Sequence, residues 1–239
     1  MNERLDIDPT KIRSRWVCYF DLLGFSALLK QSIVNAFYQW ELCLSDLKNW
    51  SARFPELEYA YFSDTFLIYA QDDSAKSFVH IEAASRWFFQ IALQRNIPLR
   101  GSMACDEFYA EKQKAIFLGK ALVEAAKTEQ KYNWIGFVLC SSAIQRMNQI
   151  GLPADQRLNY RKWLLPARSD RIEGKPEEVV ALLFGAFYPT NGQNMLVHEL
   201  QKMAELETDS KVREKYENSL KFLNHFGVLQ VISQTEKGS

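Results

Sequence analysis

The sequence lacks any close pairing of cysteines. Its 239 residues include 4 cysteines, which are widely spaced and form no Cys-x-x-Cys pair. This spacing indicates neither a zinc ribbon nor a disulfide framework. A reducing compartment is the natural setting for such a chain, and Cys18 and Cys140, which lie in apolar segments, are expected to be small core residues.

The sequence also lacks an excess of either positive or negative residues. The 29 basic residues balance the 29 acidic ones, so the formal net charge is zero. This argues against a protein that binds nucleic acid through a basic surface, and we expect no nucleic-acid partner. A nucleotide pocket needs only local positive charge and stays compatible with the composition.

Long apolar runs and paired histidines are absent as well. No run approaches the ~20 residues that span a bilayer, and the first nine residues, MNERLDIDP, are too charged for a signal peptide. We therefore expect a cytoplasmic protein that does not bind membranes. No two of its histidines have the spacing of metal ligands.

What the chain does have is apolar material for a large core, with 47% hydrophobic and 13% aromatic residues. The patterns predict, in chain order, a strand at 15–21, a helix at 25–47, a hairpin of strands 58–62 and 65–70, a helix at 77–95, a strand at 98–104, a connecting hairpin, a helix at 119–130 and a strand at 134–140. This βαββαβ order predicts an α+β, ferredoxin-like fold with a mixed, mainly antiparallel sheet and helices on one face.

The pattern changes after about residue 150. Residues 151–175 are loop-like and basic, 179–184 predict one more strand, and two charged amphipathic helices are predicted at 195–207 and 210–226, before a frayed polar end. We therefore expect a main domain at 1–190 and a helical extension at 191–239 packed on it.

Two acidic residues stand where apolar strands end. Asp21 closes the first strand, and Asp64 occupies the turn of the hairpin. A carboxylate at the end of a buried strand is costly unless positive charge meets it, and two at one place repel unless a cation lies between them. The pair therefore predicts a metal site. Taken singly, Asp21 is also compatible with a helix cap and Asp64 with an ordinary turn residue.

The residues after Asp21 strengthen this prediction. Gly24 turns the strand directly into a helix, and backbone N–H groups at such a turn bind phosphate well. Mg²⁺ or Mn²⁺ typically uses one or two carboxylates and completes its shell with phosphate oxygens and water. The combination predicts a metal–triphosphate site.

These residues resemble a family. Residues 20–26, F-D-L-L-G-F-S, are similar to the first metal motif of class III nucleotide cyclases, and Ser63-Asp64 is similar to the second. Residues 97–105 resemble the family strand R-x-G-I-x-x-G, and residues 119–127 resemble its helix G-x-x-V-N-x-A-A-R. The resemblance rests on the order of these motifs over residues 16–142 rather than on any one of them.

The resemblance implies a homodimer with sites at the subunit interface and a catalytic domain at 1–190. Asp21 and Asp64, helped by the Leu22 carbonyl, would hold two divalent ions, Mg²⁺ or Mn²⁺. The substrate's 3′-hydroxyl would attack the α-phosphate and expel pyrophosphate. The backbone amides that would hold the β and γ phosphates are those of Leu23, Gly24, Phe25 and Ser26.

On the family's catalytic helix, two positions differ. Val123 replaces an Asn that holds the ribose, and Lys127 replaces the Arg that stabilises the transition state. Lys127 keeps the charge but cannot form a bidentate fork. Arg100 and the basic segment 157–175 are the candidates for additional positive charge.

The positions that select a purine differ as well. They correspond to Ala60, flanked by Tyr59 and Tyr61, and to Ile116, none of which matches the family's polar selector. This pattern resembles the pyrimidine cyclases of the Pycsar anti-phage system, which convert UTP or CTP to cyclic UMP or cyclic CMP. The resemblance implies UTP as the favoured substrate, base contacts from Arg100 and a tyrosine of 59–61, and a separate effector that senses the product.

Two alternatives stay open at this point. One is a degenerate cyclase-homology domain that binds nucleotide or dimerises without turnover, which Val123 and Lys127 favour. The other is a different phosphoryl-transfer enzyme on a related sheet, such as a diguanylate cyclase or a polymerase. The zero net charge makes a template-binding polymerase the weaker choice.

Overall fold

The computed structural model describes residues 9–51, 53–166, 176–182 and 190–226. Its strands are β1 (Arg13–Leu22), β2 (Leu57–Phe62), β3 (Thr65–Ala70), β4 (Leu99–Glu111), β5 (Ile116–Gly119), β6 (Phe137–Leu139), β7 (Tyr160–Leu165) and β8 (Glu177–Leu182). Its helices are α1 (Phe25–Gln31), α2 (Ile33–Ser51), α3 (Ala75–Gln94), α4 (Lys120–Lys131), α5 (Ser141–Gln149), α6 (Thr190–Leu206) and α7 (Ser210–His225).

The strands form one sheet in the order β2-β3-β1-β4-β6-β8-β7, with β5 paired to β4. Only the β4–β6 pairing is parallel among the pairings described. The sheet is therefore mixed and mainly antiparallel, and the predicted α+β fold class is confirmed. Strand β1 lies between β3 and β4. Its residues 16–20 are at most 9% exposed, because an interior strand is covered on both faces of the sheet.

The two faces of the sheet are covered by different helices. Trp16, Cys18 and Phe20 belong to the large core that α2, α3, α5, α6 and α7 complete. Val17 and Tyr19 point to the other face and pack with Ala121 and Ala125 of α4; we call this second face the α4 face. The prediction that all helices lie on one face is therefore wrong for α4.

The helix predicted at 25–47 is interrupted. Helix α1 ends at Gln31 and α2 begins at Ile33, because Ser32 caps the second helix. Its Oγ accepts a hydrogen bond from the Asn35 N–H at 3.2 Å, and its carbonyl accepts one from Ala36 at 3.0 Å. A serine that caps in this way starts a new helix within a continuous apolar pattern.

Between residues 134 and 175, two predictions need correction and the structure adds one helix. The strand at 134–140 shrinks to β6, since the N–H and carbonyl of Ile135 bond to Ser219 of α7 (2.8 and 2.6 Å) rather than to a strand. The segment 151–175 is not all loop, because β7 pairs antiparallel with β8; its residues 167–175 lie outside the described residues. Helix α5 was not predicted.

The predicted C-terminal helices are present as α6 and α7. Helix α6 packs on α3 and α7. The side-chain amide of Asn218 in α7 donates to the Asn133 carbonyl at 2.8 Å, so α7 is anchored beside β6. The residues predicted to fray lie outside the described residues, and the domain division at 190 stays a prediction. None of the helices in the described ranges combines the length and apolar character that crossing a bilayer requires.

Candidate active site

One row of side chains crosses four strands at the end of the α4 face. Asp21 of β1 pairs with Thr65 of β3 and Arg100 of β4, and Thr65 pairs with Phe62 of β2. Directly paired residues on neighbouring antiparallel strands point to the same side of a sheet. The row therefore places Phe62, Thr65, Asp21 and Arg100 side by side.

The hairpin tip brings Asp64 to this row. Only Ser63 and Asp64 join β2 to β3, with Ser63 in the left-handed region at φ 54°. The Leu22 N–H donates to the Asp64 carbonyl at 3.0 Å, which ties the tip to the end of β1. The structure thus brings the two predicted carboxylates together, although Asp21 closes a strand and Asp64 lies on a turn.

The electrostatics of Asp21 reflect this crowding. Burial raises the pKa of the Asp21 carboxyl, and the charge of Asp64 raises it further, whereas the hydrogen bond and charge of Arg100 lower it. Because burial and a neighbouring negative charge disfavour the ionised form of Asp21, additional positive charge nearby stabilises that form. The pair can therefore accept a cation.

The glycine turn differs in one detail from the prediction. Gly24 has φ 77°, the left-handed conformation that glycine adopts without strain. The Leu23 N–H, predicted to hold phosphate, instead donates to the Pro98 carbonyl at 3.0 Å. The amides of Gly24, Phe25 and Ser26 are left as candidates for phosphate binding.

Arg100 is buried in an ion cluster rather than open to a ligand. Its Nη2 lies 2.8 Å from Oδ2 of Asp21 and 2.6 Å from Oε1 of Glu129, on α4. The Arg100 side chain is 6% exposed and that of Glu129 is 1% exposed. The predicted contact of Arg100 with a base stays a prediction, and the contact that the structure shows is with two carboxylates.

The tyrosines predicted to read the base point away from Asp21. Tyr61 pairs with Phe66, which belongs to the large core, and its ring meets that of Trp40 edge-on at 5.0 Å between centroids. Tyr59 likewise packs against the large core. Ala60 does lie on the α4 face, but it is buried. Phe62, which is 47% exposed, is the aromatic residue of the row and is separated from Asp21 by Thr65.

Helix α4 turns its two altered positions outward. Ala121, Ala125 and Glu129 form its buried stripe, and the Ser102 hydroxyl fixes this stripe by donating to the Ala125 carbonyl at 2.7 Å. Val123 and Lys127 lie on the exposed side. Lys127 therefore points away from the Asp21 of its own chain.

Ile116, the second predicted selector position, lies on β5. It lines a cavity of about 450 Å³ near the start of α4, together with Ile12, Tyr109 and Leu118. Helix α4 starts where Gly119 lets it approach β4: a Cβ at this glycine would lie 2.3 Å from the Glu107 carbonyl oxygen.

The donor set fits Mg²⁺ or Mn²⁺. Among the described residues no group of three or more His, Cys, Asp or Glu side chains could hold a metal ion. Two carboxylates with a backbone carbonyl are hard oxygen donors, and a magnesium site of this kind takes its remaining oxygens from phosphate and water. The Arg100 guanidinium donates a hydrogen bond to Oδ2 of Asp21, which shows that this carboxylate pairs with positive charge.

Sequence reasoning missed four residues of this arrangement: Tyr19, Phe62, Thr65 and Glu129. The Tyr19 hydroxyl lies 3.1 Å from Oγ1 of Thr65, which links two rows of the α4 face. The two-residue turn alone places Phe62 opposite Thr65, so that signal was available. Glu129 continues the Ala121–Ala125 stripe at helical spacing, which was the available signal for its burial.

Comparisons with known proteins bear on the fold. No family model and no curated protein matches the sequence. Among solved structures, the catalytic core of a rhodopsin-guanylyl cyclase with converted specificity matches at TM-score 0.54 and 10% identity, over 71% of this chain and 96% of that one.

Two further structures agree. The guanylyl cyclase domain of the RhoGC fusion protein from Blastocladiella emersonii matches at TM-score 0.54 and 10% identity, over 72% of this chain and 95% of that one. Adenylate cyclases from Trypanosoma brucei match at TM-score 0.52 and 11% identity, over 77% and 94%. The chain has the class III nucleotide cyclase fold. At these identities the likeness concerns the fold, and activity is argued from the site.

Proposed function

We propose that this protein is a nucleotide cyclase that converts UTP to 3′,5′-cyclic UMP and pyrophosphate and works as a homodimer. The observation that carries the proposal is the convergence of Asp21 and Asp64 beside the Gly24 turn in a cyclase fold. This arrangement supports binding of a metal–triphosphate at the end of the α4 face.

In this reaction the chain's own residues would bind and orient the substrate. Asp21, Asp64 and the Leu22 carbonyl would hold two divalent ions, and the amides of residues 24–26 would hold the β and γ phosphates. When bound, the ions lower the pKa of the 3′-hydroxyl and neutralise charge on the phosphates. The phosphate-binding groups would orient the α-phosphate. The 3′-hydroxyl would give its proton to water, and its oxygen would then attack the α-phosphorus, forming the cyclic ester as the bond to pyrophosphate breaks.

The outward side of α4 supports the proposed homodimer. Lys127 points away from the Asp21 of its own chain, so it can stabilise the transition state only in the site of a partner. Exposed apolar side chains surround this helix, with Ile12 at 47%, Leu118 at 60% and Val123 at 52%. A second copy that covers them would bury apolar surface and complete both sites.

The choice of a pyrimidine rests on what the selector positions lack. Ala60 is 6% exposed and apolar, and Ile116 lines an apolar cavity, so neither side chain can hydrogen-bond a purine edge. Such bonds are what discriminate adenine from guanine. Phe62 offers a ring on which a smaller base can stack. Cyclic CMP from CTP is the alternative product.

A role in anti-phage defence completes the proposal. Cyclic UMP would act as a second messenger on a separate effector that senses cyclic nucleotides. This part rests on the resemblance to Pycsar cyclases.

The test is to incubate the purified protein with each of the four nucleoside triphosphates and Mn²⁺ and to separate the products by chromatography. Cyclic UMP from UTP is expected, and its loss in Asp64→Asn with an unchanged circular dichroism spectrum supports the site. Product from ATP or GTP without any from UTP or CTP would overturn the pyrimidine assignment.

The second candidate function is a degenerate cyclase domain that binds nucleotide without turnover. Two observations favour it: Val123 cannot hydrogen-bond a ribose, and Arg100 already donates a hydrogen bond to Asp21. Calorimetry separates the two functions. Nucleotide binding without pyrophosphate release from any of the four triphosphates would establish the binding module.

A further inference from the structure

The ion cluster beside the candidate metal site contains one guanidinium and two carboxylates, and both carboxylates contact the same guanidinium nitrogen. Nη2 of Arg100 contacts Oδ2 of Asp21 at 2.8 Å and Oε1 of Glu129 at 2.6 Å. The Asp21 side chain is 20% exposed, whereas those of Arg100 and Glu129 are 6% and 1% exposed. Solvent therefore reaches only the member that belongs to the site.

The two carboxylates differ in what they can do. Asp21 lies at the end of β1, next to Asp64, where a ligand can approach. Glu129 is enclosed between α4 and the sheet, because Ala125, one turn earlier, is fixed by the bond from Ser102. The position of Glu129 is thus set by the helix.

Sharing the guanidinium has an electrostatic consequence at Asp21. A cation that binds Asp21 is repelled by the guanidinium, and the negative charge of Glu129, which contacts the same nitrogen, offsets part of this repulsion. Without Glu129, Arg100 would pair with Asp21 alone and would compete directly with any incoming cation. The hydrogen bond from Arg100 is made to Oδ2 of Asp21.

We propose that Glu129 is a positioning residue that sets the divalent-ion affinity of the Asp21–Asp64 site by sharing the Arg100 guanidinium and offsetting its positive charge beside Asp21. The inference rests on the metal site of the proposed function and assigns a role to a residue that contacts neither the ion nor the substrate. Partners of metal-binding carboxylates commonly change metal affinity by about 10- to 100-fold when they are removed.

The chain provides a matched control. Glu82 of α3 is 5% exposed and pairs with Arg157 through Nη2, so it is a second buried Glu–Arg pair. It lies in the part of the molecule where Arg157 packs over Phe78 of the large core. Glu82→Gln removes the same chemical group at a place without contact to Asp21.

The test is a Mn²⁺ titration of the full chain without nucleotide, in which electron paramagnetic resonance measures free Mn²⁺. Glu129→Gln is expected to weaken binding by about tenfold, whereas Glu82→Gln is expected to leave it unchanged. The double variant Arg100→Met/Glu129→Gln is expected to bind at least as tightly as the wild type, because the competing guanidinium has gone. A purely structural role of Glu129 predicts no such rescue.

Unchanged Mn²⁺ affinity in Glu129→Gln would overturn the proposal, as would a loss that the double variant does not rescue. If Glu129→Gln does not fold, the double variant decides the matter, since it removes both buried charges, and weaker binding than wild type would then contradict the inference. Absence of Mn²⁺ binding by the wild type would instead overturn the metal site and the proposed function with it.

Discussion

The outward side of α4 leads to a prediction about how two chains share a site. Val123 is 52% exposed, whereas Ala125 is fully buried and Glu129 is 4% exposed. Because α-helical residues two apart point about 200° apart, Lys127 lies on the side away from the sheet. We predict that Lys127 acts on the triphosphate held by Asp21 and Asp64 of the partner chain.

The perturbation is to damage the two halves of the site in different chains. One chain carries Asp21→Asn and the other Lys127→Ala. In their heterodimer, one site combines an intact Asp21 with an intact Lys127, and the other site contains both changes. Purified heterodimers should therefore show about half of the wild-type rate per dimer. Free exchange of equal amounts makes heterodimers of about half the molecules, so the mixture should recover about one quarter.

The assay uses two affinity tags, sequential purification of the heterodimer, and pyrophosphate release from UTP with Mn²⁺. Each homodimeric variant is measured alone; Lys127→Ala is expected to lose on the order of 10²-fold in rate, as for removal of one transition-state donor. Lys76→Ala, which removes a lysine whose side chain is 76% exposed on α3, is the matched control and should stay active. Heterodimers no more active than the homodimeric variants would refute a shared site.

Other predictions concern stability and thiol chemistry. Phe20→Ala, which empties a fully buried position, should lower the free energy of unfolding by about 3–5 kcal/mol in urea titrations. Gly119→Ala should lower the melting temperature more than Gly151→Ala, since both have positive φ but only the first meets backbone atoms; an equal effect would contradict the close approach of α4. Burial raises the pKa of Cys43 from 9.0 to about 12, so the unfolded thiol ionises first, and the stability that this thiol contributes should be full below pH 9 and lost between pH 9 and 12. Cys43→Ala should flatten that part of the pH profile measured by urea unfolding.

Local patterns were sufficient where apolar strands meet short polar turns. The first strand and the hairpin were predicted within a few residues, because Ser63 and Asp64 alone separate two apolar segments. The break at Ser32 was not visible, since apolar spacing continues across it and only the cap starts a new helix. The sequence predicts loop rather than strand over β7, because only its end residues, Tyr160 and Leu165, are buried and no clear alternation separates Arg161, Lys162 and Leu164 from a core side.

For the candidate site, the sequence by itself determined which side chains end the strands and stand at the turns, which is why Asp21, Asp64 and Gly24 could be chosen. Only the tertiary structure decided that Arg100, 79 residues from Asp21 along the chain, lies between that carboxylate and Glu129. The tertiary structure also places Tyr59 and Tyr61 on the sheet face opposite α4, and Lys127 on the solvent-exposed side of that helix. These outcomes depend on the register between strands distant in sequence, and long-range packing sets that register, because a shift by one residue moves every side chain to the opposite face.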